Sequence, residues 1–197
     1  SYPIANSMSV EEAFAGANPS NGDYVKSQKG FAQYYEGLGW TGTLKTMTPG
    51  MGYMYQNTSG AAKTFVYPSA SMSKSVNEEE VLESYWTPDE TLYPNNMTVI
   101  TTVTIDSVEQ SNTRLEVGAF CGDELRGSGR LQYVPAPVNK YEAFIMIYGE
   151  DNDSITFKLY NHSAASVLDL VCNDIVAFKV NETIGSVVEP HNISFST

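Results

Sequence analysis

The strongest constraint on the fold is a run in which β-branched and other apolar residues occupy every second position. The run holds Met97, Val99, Thr101, Val103 and Ile105. A period of two with β-branched residues is typical of a β-strand. Similar short runs recur along the 197 residues, separated by Gly, Pro, Asn and Asp. This pattern predicts an antiparallel β-sandwich and disfavours the alternating βα units of nucleotide-binding folds. The late runs 167–172 and 175–180 flank Asn173-Asp174, which predicts a hairpin there.

One helix is predicted, near the start of the chain. Ser9-Val-Glu-Glu12 has the spacing of a capping box, in which the serine and the glutamate each bind the other's backbone amide. The helix should be short, with Gly16 as its left-handed end. Tight turns at Gly37-Leu-Gly39 and Pro49-Gly50 then predict a β-meander. The expected fold class is therefore all-β with one short helix.

Charge is distributed unevenly along the chain, which indicates two modules. Residues 1–79 carry six acidic and five basic residues, whereas residues 80–197 carry seventeen and six. A Ser- and Glu-rich stretch without periodicity, 68–80, lies between them and is typical of a linker. We therefore expect a β-meander module with the helix at 1–75, and an antiparallel β-sandwich module at 80–197. Trp86, just after the linker, is expected to pack between the modules.

The overall charge excludes several partner classes. The formal net charge is −12, so neither a phosphate backbone nor an anionic membrane surface is an expected partner. No apolar run is long enough to cross a bilayer, so no membrane insertion is expected.

Catalytic sequence patterns are scarce. Only two histidines are present, His162 and His191, and both lie in turn-like sequence where we expect exposed loop residues. The nucleophile-elbow pattern Gly-x-Ser-x-Gly does not occur. We therefore expect no enzymatic activity and no cofactor.

The two cysteines, Cys121 and Cys172, leave two alternatives open. Their spacing matches no metal site, so they are either small apolar core residues or partners in one disulfide between two strands. Because the chain begins with Ser1 rather than Met and has a polar but uncharged composition, we expect a processed or excised chain from an exported protein.

Aromatic residues are the best candidates for a ligand site. Tyr35, Trp40, Tyr53 and Tyr55 lie in consecutive predicted strands of the first module. On an exposed face they would form a flat platform for sugar rings or for apolar side chains of a protein. The alternative is that they form the core of a small module with few aliphatic residues.

A weaker candidate is the acidic turn at 150–153. Glu150, Asp151 and Asp153 gather hard oxygen ligands that suit Ca²⁺, although the spacing is not that of an EF-hand. The alternative is an ordinary turn rich in Asp and Asn.

Two stretches resemble a known group of proteins. The first is Leu44-Lys-Thr-Met-Thr-Pro-Gly-Met-Gly-Tyr53, with Gly39-Trp40 before it. The second is Gly118-Ala-Phe-Cys-Gly122-Asp-Glu-Leu-Arg126-Gly127. Both resemble repeated β-modules of secreted or surface-attached proteins of Bacteroidetes. The resemblance implies an extracellular location but names no ligand.

The same signature has a physical interpretation. Gly118 and Gly122 would let strands approach closely or bulge. Arg126 would form a structural ion pair with Asp123 or Glu124, or bind turn carbonyls.

Three functional hypotheses follow. The first is a non-catalytic secreted or cell-surface pair of β-modules that serves adhesion, assembly or display, with a glycan or a protein surface as its ligand. The second is a carbohydrate-binding module. The third is a set of accessory domains belonging to a larger secreted hydrolase.

Overall fold

The computed structural model describes residues 2–68 and 83–197, and the chain divides into two compact units, Ser1–Leu82 and Glu83–Thr197. Strands dominate both units, and the described residues contain one short α-helix. The all-β fold class predicted from the sequence is therefore confirmed. No helix in the described residues has the length and apolar character needed to span a bilayer.

The first unit contains a small antiparallel sheet and a separate strand pair. Its elements are β1 (Met8–Ser9), α1 (Val10–Ala13), β2 (Tyr24–Lys26), β3 (Phe31–Tyr35), β4 (Gly39–Gly42), β5 (Thr46–Met47) and β6 (Met54–Gln56). The sheet has the order β4-β3-β2-β6, and β1 pairs with β5. The predicted reversal between β3 and β4 is confirmed, with Gly37 and Gly39 at positive φ.

The predicted capping box starts the helix. The Ser9 hydroxyl accepts from the Glu12 amide at 3.1 Å, and Glu12 Oε2 accepts from the Ser9 amide at 3.0 Å. The expected end at Gly16 is wrong. The chain continues into a 3₁₀ turn, Ala15–Ala17, and the left-handed residue is Asn18 at φ 46°. Asparagine tolerates this region because its short polar side chain bonds locally.

Phe14, directly after the helix, lies at the centre of the first unit's core. The buried side chains around it are Tyr2, Met8, Val10, Ala13, Ala17, Val25, Ala32 and Met47. Four aromatic rings pack on Phe14 with centroids 5.1–6.1 Å away, and they belong to Trp40, Tyr55, Phe65 and Tyr67. Aromatic rings thus complete a core whose other buried side chains are mostly small or medium-sized apolar residues.

The second unit is built around one large curled sheet. Its strands are β7 (Asn96–Ile105), β8 (Val108–Glu109), β9 (Leu115–Cys121), β10 (Glu124–Val134), β11 (Lys140–Tyr148), β12 (Ser154–Asn161), β13 (Ser166–Val167), β14 (Val171–Cys172), β15 (Val176–Ala177), β16 (Thr183–Ile184) and β17 (His191–Ser196). The main order is β13-β12-β9-β10-β11-β7-β17-β14. Pairing is antiparallel except along one edge of β7, where β16 and β17 both run parallel to it.

Residues 166–178 close this sheet. In turn, β13 pairs with β12, β14 pairs with β17 at the other end of the sheet, and β15 returns to β12. The hairpin predicted at Asn173-Asp174 is therefore wrong, because its two flanking strands pair with different ends of the sheet. Asp174 instead accepts from both the amide and the hydroxyl of Ser194 at 2.6 Å, which holds the closing segment to β17.

Inward-facing side chains of the curled sheet form one apolar core. Its buried members include Val99, Val117, Ile145, Phe157 and Ile193, which come from five different strands. The alternation read from the sequence of β7 is confirmed, since Met97, Val99 and Val103 all belong to this core. Glycines allow the close strand approach. A Cβ on Gly127 would overlap the carbonyl oxygen of Met146 on β11.

Substitution of Gly127 tests this close approach. We expect Gly127→Ala to lower the free energy of unfolding by about 1–3 kcal/mol, because the added methyl forces β10 away from β11. Urea denaturation followed by circular dichroism measures the change. Gly52 is the control, since a Cβ there meets no atom within 4 Å, and Gly52→Ala should change stability by less than about 0.5 kcal/mol. Equal midpoints for Gly127→Ala and the unmodified protein would contradict the packing argument.

Candidate functional site

A cluster of polar and aromatic side chains holds residues 84–93 against the sheet of the second unit. We call these residues the anchor segment. Trp86 is 9% exposed and lies on Gly118 of β9, where a Cβ would come within 2.6 Å of the indole Cε3. Its ring contacts Phe120 and Tyr160 with centroids 5.5 and 6.0 Å away. Its carbonyl oxygen accepts from the Ser128 hydroxyl at 2.8 Å. Trp86, expected to pack between the modules, thus packs within the second unit.

Glu116, fully buried on β9, receives the main chain of the anchor segment. Its carboxylate accepts from the amides of Tyr85 and Trp86 at 2.9 and 3.0 Å, and from the Ser84 hydroxyl at 2.6 Å. His162 Nε2 lies 2.7 Å from its other side. Burial alone would raise the pKa of Glu116, but these hydrogen bonds outweigh burial and lower it. The carboxylate is therefore held ionised inside the protein.

The order of these groups bears on the chemistry that they can perform. In a hydrolytic triad the histidine lies between the nucleophile and the acid, so that it removes the hydroxyl proton. Here the carboxylate of Glu116 lies between Ser84 and His162 and binds both. The Ser84 hydroxyl donates its hydrogen bond to the carboxylate and not to the imidazole, so the order of the three groups differs from that of a triad. His162, expected to be an exposed loop residue, is half-buried in this cluster.

Tyr85 adds a flat aromatic surface to the anchor segment. Its ring stacks on Tyr160 with the centroids 3.7 Å apart and the planes 2° from parallel. Tyr160 is 8% exposed, whereas Tyr85 is 52% exposed. The edge of Trp86 and the ring of His162 support the pair, at 5.4 Å from Tyr85 and 4.9 Å from Tyr160. The outer ring is thus exposed and fixed at the same time.

Arg126 holds the far end of the anchor segment. Its guanidinium lies 3.8 Å from the ring centroid of Tyr93 and pairs with Asp153 at 3.0 Å and Glu124 at 3.4 Å. It also donates to the carbonyl of Tyr148 at 3.3 Å. The structural ion pair predicted for Arg126 is present, with Glu124 as one partner. Together with Gly118, this arginine gives part of the sequence signature a role in docking the segment.

A second buried carboxylate organises the first unit. Asp23 is fully buried and accepts from Lys63 Nζ and the Tyr55 hydroxyl at 2.6 Å, and from the Ser20 and Thr58 amides at 2.9 and 2.8 Å. Burial alone would raise the pKa of Asp23, but these hydrogen bonds lower it well below its ordinary range. Burial and the bond to Asp23 raise the pKa of Tyr55. The network ties β2 to the chain that follows β6.

The aromatic residues singled out from the sequence do not form one platform. Trp40, Tyr53 and Tyr55 are half-buried and pack against the first unit's core. Tyr35 lies on β3 one position away from Tyr34, the cross-strand partner of Trp40, so it points to the opposite face of the sheet. The structure therefore brings three of the four together around the core and separates Tyr35 from them.

The acidic turn does not gather its carboxylates around one point. Asp153 accepts from Arg126 and from the Glu150 amide, whereas Asp151 accepts from the Val180 amide at 2.9 Å. In the ranges 2–68 and 83–197, no group of three His, Cys, Asp or Glu side chains is placed to hold a metal ion. Asp153 and Asp151 thus accept hydrogen bonds from protein donors, as in an ordinary turn rich in Asp and Asn.

Cys121 and Cys172 are free thiols in the structure. Both pack against the core of the second unit. Cys172 donates to the Asp174 carbonyl at 3.2 Å, and burial raises the pKa of its thiol.

His191 is the first residue of β17, and its Nε2 is buried without a hydrogen-bond partner.

Comparison with known proteins found no matching family model, no matching curated protein and no matching solved structure. The resemblance to secreted β-modules stays a prediction. The assignment of a function depends on the geometry of the chain itself.

Sequence reasoning missed the residues that matter most in these clusters. Asp23 carried no visible signal, because it follows Gly22 in turn-like sequence. Glu116 gave no signal of its own, because its alternation with Val117 along the strand does not show what covers its face of the sheet. A usable signal was present nearby, since Gly118 leaves room on that same face for a large ring. Tyr85 gave no signal of its own beyond its position beside Trp86.

Glu142 is a buried carboxyl with a different character. It is fully buried on β11, and neither of its oxygens has a hydrogen-bond partner. Burial raises its pKa to about 8; Lys140 opposes this shift and Glu109 adds to it. The group is therefore largely protonated near pH 7, unlike Glu116.

Substitution of Glu116 tests the anchor. We expect Glu116→Gln to lower the free energy of unfolding by about 3 kcal/mol, because an amide cannot accept all four hydrogen bonds. In a Trp40→Phe background, Trp86 emission should shift to the red as the indole leaves Gly118. Because the pKa of Glu116 is lowered in the folded state, its contribution is present above its unfolded pKa of about 4.3 and is lost as the pH falls further.

The neighbouring Glu83 is the matched control, since it is an exposed carboxylate beside the same segment. Glu83→Gln should leave the stability and the emission unchanged. An unchanged urea midpoint and unchanged emission for Glu116→Gln would show that Glu116 does not hold the segment.

Substitution of Glu142 should have an effect that depends on pH. Its raised pKa means that ionisation in the unfolded state draws the protein toward unfolding between about pH 4.3 and 8. Glu142→Gln should therefore become progressively more stable than the unmodified protein across this window, by at most about 1.4 kcal/mol per pH unit, and then level off. Urea denaturation at pH 5, 7 and 9 measures the trend. A difference that is the same at all three values contradicts it.

Proposed function

We propose that the chain is a non-catalytic pair of β-modules that presents binding surfaces outside the cell, for adhesion, assembly or display. The observation that carries the proposal is the hydrogen-bonding of Glu116, which binds Ser84, two backbone amides and His162 at once. A carboxylate used in this way serves as an internal anchor. Ser84 and His162 both bind this carboxylate.

Asp23 supports the proposal from the first unit. Its five hydrogen bonds come from Ser20, Tyr55, Thr58 and Lys63, so its carboxylate is fully occupied in fixing the chain after β6. In each unit a buried carboxylate, Asp23 or Glu116, thus holds a chain segment in place through its hydrogen bonds.

The extracellular location rests on the sequence. Two stretches resemble modules of secreted or surface-attached proteins, and the composition is polar but poor in charge. The net charge of −12 favours neutral or cationic partners over anionic ones. A glycan without acidic groups or a protein surface meets this requirement.

A second candidate, carbohydrate binding by the first unit, is favoured by one pair of rings. Tyr34 and Trp40 are cross-strand partners with centroids 5.5 Å apart, and both are half-buried. Their outward surfaces could contact a sugar ring while Phe14 supports Trp40 from below. Loss of glycan binding in Trp40→Ala would support this site, and unchanged binding would exclude it.

The absence of catalysis is tested directly by turnover. We expect the full chain to give no hydrolysis above the buffer blank on fluorogenic glycosides, esters and peptides, because the Ser84 hydroxyl donates to the Glu116 carboxylate rather than to His162. The same panel is run with Glu116→Gln and His162→Ala. Hydrolysis by the unmodified chain that disappears in either variant would overturn the proposal.

A further inference from the structure

Tyr85 has the geometry of a preformed stacking surface. One face of its ring lies against Tyr160, so the 52% of the residue that is exposed comes from the opposite face and the rim. The backbone of Tyr85 is fixed by the Glu116 carboxylate, and Trp86 next to it is held on Gly118. A ligand that meets this ring therefore loses little conformational entropy in ordering it.

The surroundings of the ring are polar. His162 packs edge-on against Tyr160, and the Lys158 ammonium lies over the ring of Phe120, 4.6 Å from its centroid. Ser84 directly precedes Tyr85 and is exposed. A fixed, flat aromatic face suits a ligand that has an apolar face of similar size.

We infer that Tyr85 is a binding site for neutral glycans, on which one pyranose ring stacks through its axial C–H face. The size of the platform, a single ring, matches one sugar residue. The net charge of −12 argues against a uronic or sulfated sugar. This inference rests on the proposed non-catalytic binding function and assigns it a ligand class and a residue in the second unit.

Another exposed tyrosine provides a matched control. Tyr133 is 50% exposed, but its ring is tilted 50° against Tyr141 at 5.2 Å, and its hydroxyl donates to Asn139. Nothing stacks flat behind it. Removal of Tyr133 thus removes an equal exposed ring without removing a supported platform.

The test measures binding of the full chain to cellohexaose, xylohexaose and mannohexaose, with a hexamer of galacturonic acid as the anionic comparison. We expect at least one neutral hexasaccharide to bind with a dissociation constant of about 1 mM or lower. Tyr85→Ala and Tyr85→Leu should each weaken this binding about tenfold, while Tyr85→Phe and Tyr133→Ala should leave it unchanged. Thermal unfolding of each variant checks that the fold is retained, and Tyr85→Phe keeps the test valid if the smaller side chains loosen the segment.

Several results would overturn the inference. These are binding by none of the neutral hexasaccharides, binding unchanged in Tyr85→Leu, and tighter binding of the galacturonic acid hexamer. Loss of binding in Trp40→Ala with no effect of Tyr85→Leu would move the site to the first unit. None of these results produces turnover, so each is distinguishable from failure of the non-catalytic proposal, which requires hydrolysis.

Discussion

Most of what is distinctive in the second unit depends on one buried carboxylate. Glu116 is fully removed from water, and an isolated charge there would be strongly destabilising. It is tolerated because four donors surround it, and three of them belong to residues 84–86. The hydrogen bonds that stabilise the buried charge of Glu116 are thus the same bonds that hold the anchor segment on the sheet. Trp86 then lies on the bare backbone of Gly118, and Tyr85 is placed flat on Tyr160.

Asp23 solves a similar problem in the first unit with a different set of donors. There a lysine, a tyrosine hydroxyl and backbone amides converge on one acid and hold the chain after β6 against β2. In both units the ionised carboxylate is buried and surrounded by hydrogen-bond donors, and those bonds hold a chain segment in place. Glu142 shows the contrasting outcome. With no donors around it, burial raises its pKa to about 8 and the carboxyl stays largely neutral.

Local signals in the sequence were sufficient for several elements. The capping box of Ser9 and Glu12 formed, and the alternation of residues 97–105 gave the long strand β7, because both patterns act over a few neighbouring residues. Signals that depend on distant partners failed. The strands flanking Asn173-Asp174 look like a hairpin, but they pair with opposite ends of the sheet. His162 looks like a loop residue, but the fold brings it to Glu116, 46 positions away.

The sequence by itself determined the class of the fold, since periods of two with β-branched residues admit strands and little else. It also indicated one position where a small residue allows close packing, Gly118, whereas a Cβ on Gly122 would meet no atom within 4 Å. Only the tertiary structure decided which side chains meet across strands. The segments that pack on a side chain decide whether an acid is solvated or buried. They also decide whether a tyrosine lies in the core or presents its ring at the surface. Residues far apart in the chain supply those partners, and a pattern of neighbouring residues contains no information about them.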